Sequence, residues 1–230
     1  MIAALVVASA FPFVRRDYHT FLKGGPSYAP QNLRGYFIVL VLSIFRGEEK
    51  SLAIYDRMPE KRRWLEDLLE REGPRPRTTS HIIQRQVRSS PPCTVIQRVQ
   101  ARHADKTHLA LSKFENHAEA IFVRPEILID DPKNVPSHDT VRRTKREIAH
   151  MHDYHDYTCH LALAAQDGKQ VIQKGWGQRH PLAGPGMPGP PNEWTFLYAP
   201  RNEEEMKVVE KIIEASVGYM INAPTLDESK

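Results

Sequence analysis

The stretch from Glu147 to Leu163 constrains the fold more than any other part of the chain. Glu147 to His152 and Tyr157 to Leu163 are short apolar runs around the polar turn Asp153-Tyr154-His155-Asp156, the pattern of a β-hairpin. Ala165 to Lys174 then reads as a helix with Gly175 just past its end. Trp194 to Tyr198 is an aromatic-rich strand whose alternating Trp194, Phe196 and Tyr198 belong to a core. Asn202 caps a final helix, Glu205 completes a capping box, and Met206, Val209, Ile213, Val217 and Met220 recur at helical spacing as its buried stripe. The order strand, strand, helix, strand, helix predicts an α+β fold, a single mainly antiparallel sheet with helices packed on one face.

The front half is less regular. Met1 to Val14 is apolar apart from Ser9 and is succeeded at once by Arg15-Arg16. A bilayer span needs about 20 apolar residues, so this run is too short to cross alone. It also lacks the basic residues that precede the apolar core of a secretory signal. The run reads as a truncated membrane-anchor helix over 1–14, with the arginines holding the rest of the chain on the cytoplasmic side of an intracellular endomembrane. Residues 15–50 form a connector whose second apolar run, Tyr36 to Phe45, suits a helix lying on the domain or on a membrane surface. The catalytic unit is placed at 51–222, with a polar tail at 223–230. Within it, Trp64, Leu65, Leu68 and Leu69 predict a helix over 59–71, residues 80–86 a strand, Val95 to Ala101 a short helix, and Ala118 to Val123 a strand. Pro125, Asp131-Pro132 and Pro136 mark a long irregular passage.

Composition narrows the function classes. The net charge is +4, but 28 acidic residues are interspersed among 32 basic ones, so the balance does not indicate a nucleic-acid partner. The basic run Val141 to Arg146 lacks interleaved aromatics and reads as a solvated edge. Cys93 and Cys159 make neither a disulfide framework nor a CxxC pair, and Cys159 sits in an apolar run as a buried thiol. There is no P-loop, dinucleotide fingerprint or nucleophile elbow.

Histidine carries the chemistry. Six of the eleven histidines, His138, His150, His152, His155, His160 and His180, fall between positions 138 and 180. On a strand, His150 and His152 point to one face, and hairpin pairing brings His160 alongside. Three uses are open for such a set: structural hydrogen bonds, a metal site opened by His-x-His with Asp153 or Asp156 as carboxylate, or metal-free acid–base chemistry. A second candidate is the segment Trp176 to Gly184. Its glycines admit close approach of a ligand, while Trp176, Arg179 and His180 can stack on and neutralise an anionic ring. Tyr198 and Arg201, near the end of the last strand, are further pocket candidates.

Arg142-Arg143-Thr144-Lys145-Arg146-Glu147-Ile148-Ala149-His150-Met151-His152-Asp153-Tyr154-His155-Asp156 closely resembles the fungal luciferases, as do Lys174 to Gly189 and Glu193 to Glu204. In the front half, Arg15 to Tyr18, Gly25 to Asn32, Ala53 to Trp64 and Ser80 to Gln86 are similar to the same family. The resemblance implies an oxygenase that oxidises 3-hydroxyhispidin, a styryl-2-pyrone, with O2 through an endoperoxide. Carbon dioxide is lost and green light is emitted. It also implies one amino-terminal membrane helix and no flavin, nicotinamide or nucleotide cofactor. The expected chemistry is metal-free: His150, His152 or His160 is the base, Arg179 or His180 stabilises negative charge, and His155, Trp176, Tyr198 and Arg201 help bind the pyrone. Two other classes fit the same residues, a dark oxygenase of a related phenol and a membrane-bound binding protein. The chain departs from the family between Gln86 and Arg98, where Pro91-Pro92 stands in place of a longer, charged, helix-like stretch.

Overall fold

Six strands pair in one wholly antiparallel sheet: β1 (Thr107–Leu111), β2 (Glu119–Val123), β3 (Glu147–Met151), β4 (Cys159–Ala162), β5 (Gly177–Arg179) and β6 (Trp194–Leu197). Their spatial order is β1-β2-β3-β4-β6-β5. The computed structural model describes residues 2–23, 29–45, 47–76, 95–115, 117–127, 139–152, 157–184 and 189–226. The β3–β4 pairing is the expected hairpin, with Ala149 opposite Leu161, His150 opposite His160 and Met151 opposite Cys159. Its turn and the strand expected at 80–86 lie outside the described residues.

Alternation along the strands divides the sheet into two unlike faces. One face, carrying Ile121, Ala149 and Leu161, packs with Val99 of α4 (Val95–Arg102) and with Val209 and Ile213 of α7 (Glu203–Met220) in a single apolar core. Ser216 of α7 donates to the Ala162 carbonyl at 2.6 Å and so satisfies a buried polar group within that core. Helix α6 (Ala165–Gln173) links β4 to β5, and Gly175, with φ +81°, ends its C-terminal turn. The helices α4, α6 and α7 and the one-sided packing therefore agree with the sequence pattern. β1 and the single turn α5 (Asp139–Arg143) are additions to it.

Three expectations change. Residues 59–71 are not a helix; the helix nearby is α3 (Ala53–Arg57). The apolar residues of 59–71 are spaced for a helix, but the backbone N–H groups are taken by α6. Trp64 donates to Asp167 Oδ2 at 2.9 Å, Leu68 to Gln170 Oε1 at 2.6 Å and Arg71 to the Lys174 carbonyl at 2.8 Å. The Trp64 ring lies across α7 where only Gly218 leaves room, since a Cβ there would stand 2.9 Å from the ring. The segment after Gly175, whose glycines suggest close approach of a ligand, is instead paired in part, because Gly177 to Arg179 form the edge strand β5 on β6. Glu205 does not close a capping box on Asn202. Asn202 does cap α7 by accepting from the Glu205 amide at 2.9 Å, but the Glu205 carboxylate accepts from the Arg201 amide and from two guanidinium groups.

At the amino terminus, α1 (Ile2–Lys23) runs on past Arg15 and Arg16, and α2 (Leu33–Ser43) packs against it. Tyr36 donates to Asp17 at 2.8 Å and packs edge-on to Tyr18 and tilted against Phe21. Among the described residues no helix is long and apolar enough to cross a membrane, so a membrane-spanning anchor finds no support in the fold. Leu182 packs on the α1–α2 cluster, and the Gly47 amide donates to the Pro181 carbonyl at 2.9 Å. The pair therefore rests on the loop that succeeds β5.

Arg71 ties the strap of residues 59–71 to the C-terminal half. Buried, it bonds Glu205 at 2.8 and 3.2 Å and the Ala199 carbonyl at 2.8 Å, and its guanidinium lies over the rings of Trp176 and Tyr198. Burial pushes the Glu205 carboxyl up, but Arg71 and Arg201 outweigh it and bring its pKa down to about 2. A carboxyl depressed in the fold stabilises above its unfolded value near 4.5, and that stabilisation is lost as pH falls towards 2. Glu205→Gln is therefore expected to lose about 3 kcal/mol of unfolding free energy at pH 7, because a buried guanidinium is left uncompensated. Urea unfolding of both proteins at pH 7 and pH 3 checks this: the gap should narrow at pH 3, and an equal gap at both values would contradict it.

Candidate active site

The other face of the sheet carries the histidines. His150, His160, Phe196 and Gln178 lie side by side on β3, β4, β6 and β5, being mutual partners in the register. His152 comes two residues after His150 and so faces the same way. Ring centroids are 5.1 Å apart for His150–His160 and His152–His160, and 5.7 Å for His150–His152. All three imidazoles are buried, at 0–2 % exposure. Trp194 lies parallel to the His160 ring at 6.4 Å, and Phe196 meets it edge-on at 5.3 Å. The environment is thus aromatic and closed to bulk water.

A bulge supplies the first support of this cluster. Ala120 and Ile121 pair with His150 and Ala149, but Phe122 pairs with Glu147, leaving Ile148 as an extra residue on β3. The extra residue turns Glu147 onto the histidine face. Its Oε1 accepts from His150 Nδ1 at 2.6 Å and from Ser112 Oγ at 2.9 Å, and its Oε2 accepts from the Lys113 amide at 2.6 Å. The bond to Glu147 selects the tautomer with its proton on Nδ1, which leaves the lone pair on Nε2.

Ser112 also turns the chain. Its hydroxyl donates to Glu147 and accepts the amides of Phe114 and Glu115 at 3.1 and 2.9 Å. The tight turn after β1 sends Phe114 onto Trp194, at 4.9 Å, and aims Glu115 back at the sheet. Glu115 Oε2 then stands 3.1 Å from His152 Nε2 and 3.6 Å from His117 Nε2, while His152 Nδ1 bonds Thr158 Oγ1 at 2.9 Å. One donor atom each from Glu115, His150, His152 and His160 lie within 4.8 Å of one another, and all four residues are buried.

His180 completes the imidazole group from the loop after β5, 5.3 Å from His160 and half-buried. Its Nδ1 accepts the Leu182 amide at 3.2 Å, so the neutral ring carries its proton on Nε2 and is a donor there. Burial brings its pKa down to about 4, with Glu115 opposing and His150 and His152 reinforcing the shift. Burial, then the neighbouring His152 and His150, holds His160 well below the usual histidine range. Burial alone would raise the Glu115 carboxyl, but His152, His150 and His160 outweigh it and hold it well below the carboxylate range. The site as built is one carboxylate facing a group of imidazoles, of which His160 and His180 are held below the usual histidine range.

Of the residues singled out by sequence, His150, His152, His160 and His180 are brought together. His138 and His155 lie outside the described residues. The bonds of the other four lead elsewhere. Trp176 donates to the Leu69 carbonyl at 2.9 Å and belongs to the helix-side core. Arg179 donates to the carbonyls of Glu48 at 2.9 Å and Ala183 at 3.3 Å, fastening the β5 edge and its loop. Tyr198 donates to Gln178 at 2.6 Å. Arg201 bonds Glu205 at 2.8 Å and the Glu72 carbonyl at 2.7 Å. Glu115, Glu147, Ser112 and Thr158 join the site without a sequence expectation. The carboxylate expected from Asp153 or Asp156, which lie outside the described residues, has a counterpart in Glu115.

Known proteins resemble this chain over almost its whole length. Residues 145–216 match the Luciferase domain family, a span that contains His150, His152, His160 and His180 but not Glu115. The chain is 75% identical to a luciferase of Armillaria gallica over 232 residues, covering 96% of this chain and 87% of that protein. It is 74% identical to a luciferase of Armillaria mellea, with the same coverage. Identity to a luciferase of Neonothopanus nambi is 71%, covering 96% of this chain and 86% of that one. No solved structure matches the chain. At such identity over almost its whole length, with the histidines of the matched domain gathered at one buried centre, the chain belongs to the fungal luciferases.

Proposed function

We propose that the protein is a light-emitting oxygenase whose substrate is 3-hydroxyhispidin and whose active centre is the buried imidazole cluster. The observation that carries this reading is the convergence of His150, His152, His160 and Glu115 on one aromatic-walled point of the sheet. A hydroxypyrone is acidic. Loss of its proton at this centre gives an enolate rich enough in electrons to react with O2. Both oxygen atoms enter as an endoperoxide, one CO2 leaves, and caffeylpyruvic acid forms in the excited state. No flavin or nicotinamide takes part.

The neutral His180 contributes a donor, its Nε2–H, to the oxyanion and peroxide oxygens. Trp194, Phe196 and Phe114 keep water from the endoperoxide. His180, the most exposed of the four imidazoles, sits on the loop braced by the α1–α2 pair, and movement of that loop admits the pyrone.

The protein is also proposed to be membrane-associated, on the cytoplasmic side of an endomembrane. Phe11, Phe13, Phe37, Val41, Ile44 and Phe45 are exposed on α1, α2 and the turn after α2. Arg34, Phe37, Ile38, Val41 and Leu42 line a shallow groove of about 460 Å³. Such a surface suits the boundary of a bilayer, with Arg15 and Arg16 near anionic head groups.

Two outcomes test these proposals. Purified protein given 3-hydroxyhispidin in air should emit light and release one CO2 per pyrone. His150→Gln and His160→Gln should each lower emission about 100-fold or more while far-UV circular dichroism is kept. Folded variants that retain full emission would remove the cluster from the chemistry, and oxygen uptake without light would mark a dark oxygenase. Phe37→Asp with Val41→Asp should reduce co-sedimentation with phosphatidylserine-containing vesicles about tenfold or more; unchanged binding would place the membrane contact elsewhere.

A further inference from the structure

We infer that Glu115, His150, His152 and His160 form a binding site for one divalent first-row transition-metal ion. A bound ion here replaces the metal-free expectation drawn from sequence. The first support is direction. His150 Nε2 and His160 Nδ1 are buried ring nitrogens with no hydrogen-bond partner among the described residues, and both belong to residues of the convergent set. Buried polar atoms without partners are rare in folded proteins, and two within one cluster of ligand-type residues call for a common ligand.

The second support is the outer layer. His150 is oriented through Nδ1 by Glu147, itself fixed by Ser112 and the Lys113 amide, and His152 through Nδ1 by Thr158. Metal-binding histidines are held in this way, with the nitrogen away from the ion bonded to a carboxylate or hydroxyl.

The third support is donor chemistry. Three imidazoles and one carboxylate suit iron, copper, nickel or zinc, and carry too few oxygens for calcium or magnesium. Bonds of about 2.0–2.2 Å to a shared ion separate ligand atoms by roughly 3–4 Å. The observed ceiling of 4.8 Å therefore requires the side chains to draw in by less than about 1 Å.

Such an ion deepens the luciferase reading, and its role in the reaction rests on that reading. An ion held by Glu115, His150, His152 and His160 would supply Lewis acidity that lowers the pKa of a hydroxyl brought beside it, the proton leaving to solvent and the His180 Nε2–H serving as donor to the oxygen anion. The site itself stands on geometry whether or not the pyrone is the substrate.

Cobalt(II) titration of full-length protein, stripped with a chelator and dialysed, is the test. We expect one ion per chain by elemental analysis, visible d–d absorption of a low-coordinate nitrogen–oxygen site, and a rise in the thermal midpoint. His160→Ala and Glu115→Gln should lose the band. Glu147→Gln should weaken binding about 10–100-fold while keeping one ion per chain. If His160→Ala does not fold, Glu115→Gln supplies the ligand variant. No uptake by the stripped protein, or the same band in both ligand variants, overturns the inference. Light that persists at full strength in chelator with no bound metal overturns the ion's role in the reaction and leaves the luciferase reading intact. A stoichiometric Co(II) band that the pyrone does not perturb, with no light from the metal-loaded protein, upholds the site and defeats the luciferase reading.

Discussion

The bond between Glu147 and His150 is the constraint on which the site depends. A carboxylate buried beneath a sheet is costly unless its lone pairs are taken, and here His150, Ser112 and the Lys113 amide take them. The bulge at Ile148 makes that arrangement possible. Without it Glu147 would point to the other face, into the apolar core where Ile121 and Leu161 meet α7. One inserted residue thus decides whether the carboxylate orients an imidazole or disrupts a core.

The two faces of the sheet divide the work. On the helix face, α4 and α7 bury a continuous apolar core, and the strap of residues 59–71 locks α6 and α7 through Asp167, Gln170 and Glu205. That rigidity holds β3 and β4 in register, so the 5.1 Å spacing of His150 and His160 is a consequence of strand pairing rather than of loop packing. The opposite face carries almost all the titratable groups of the centre, covered by loops: residues 112–115 bring Glu115, and the loop after β5 brings His180. Loops on a rigid sheet suit a centre that must exclude water yet admit a substrate.

Much of the carboxy-terminal half was legible because its signals are local. The hairpin, α6, β6 and the Asn202-capped α7 each arise from residues close in sequence, and the pairing of His150 with His160 comes with the hairpin. The carboxylate partners were not legible. Glu115 sits among polar residues before β2, and only the Ser112 turn, a tertiary feature, aims it at His152. Glu147 reads in sequence as the first residue of the hairpin strand, and a bulge leaves no mark in strand periodicity. The Trp176–Arg179 segment misled in the opposite direction: its glycines serve an edge strand, as at Gly177, where a Cβ would collide with the Phe196 carbonyl oxygen. Residues 59–71 misled because apolar spacing records burial and not the backbone partners, which here are side chains of α6.

The central claim, that the buried imidazole centre removes the proton of the pyrone before oxygen reacts, is open to one direct measurement. Under nitrogen, the absorption spectrum of 3-hydroxyhispidin bound to the protein reports its ionisation state. The expected result is the anion spectrum in the wild-type complex at a pH where free pyrone is neutral, and the neutral spectrum in the His150→Gln complex. A neutral pyrone bound to the wild type, or an anion that persists when His150, His152 and His160 are each replaced in folded protein, would contradict it.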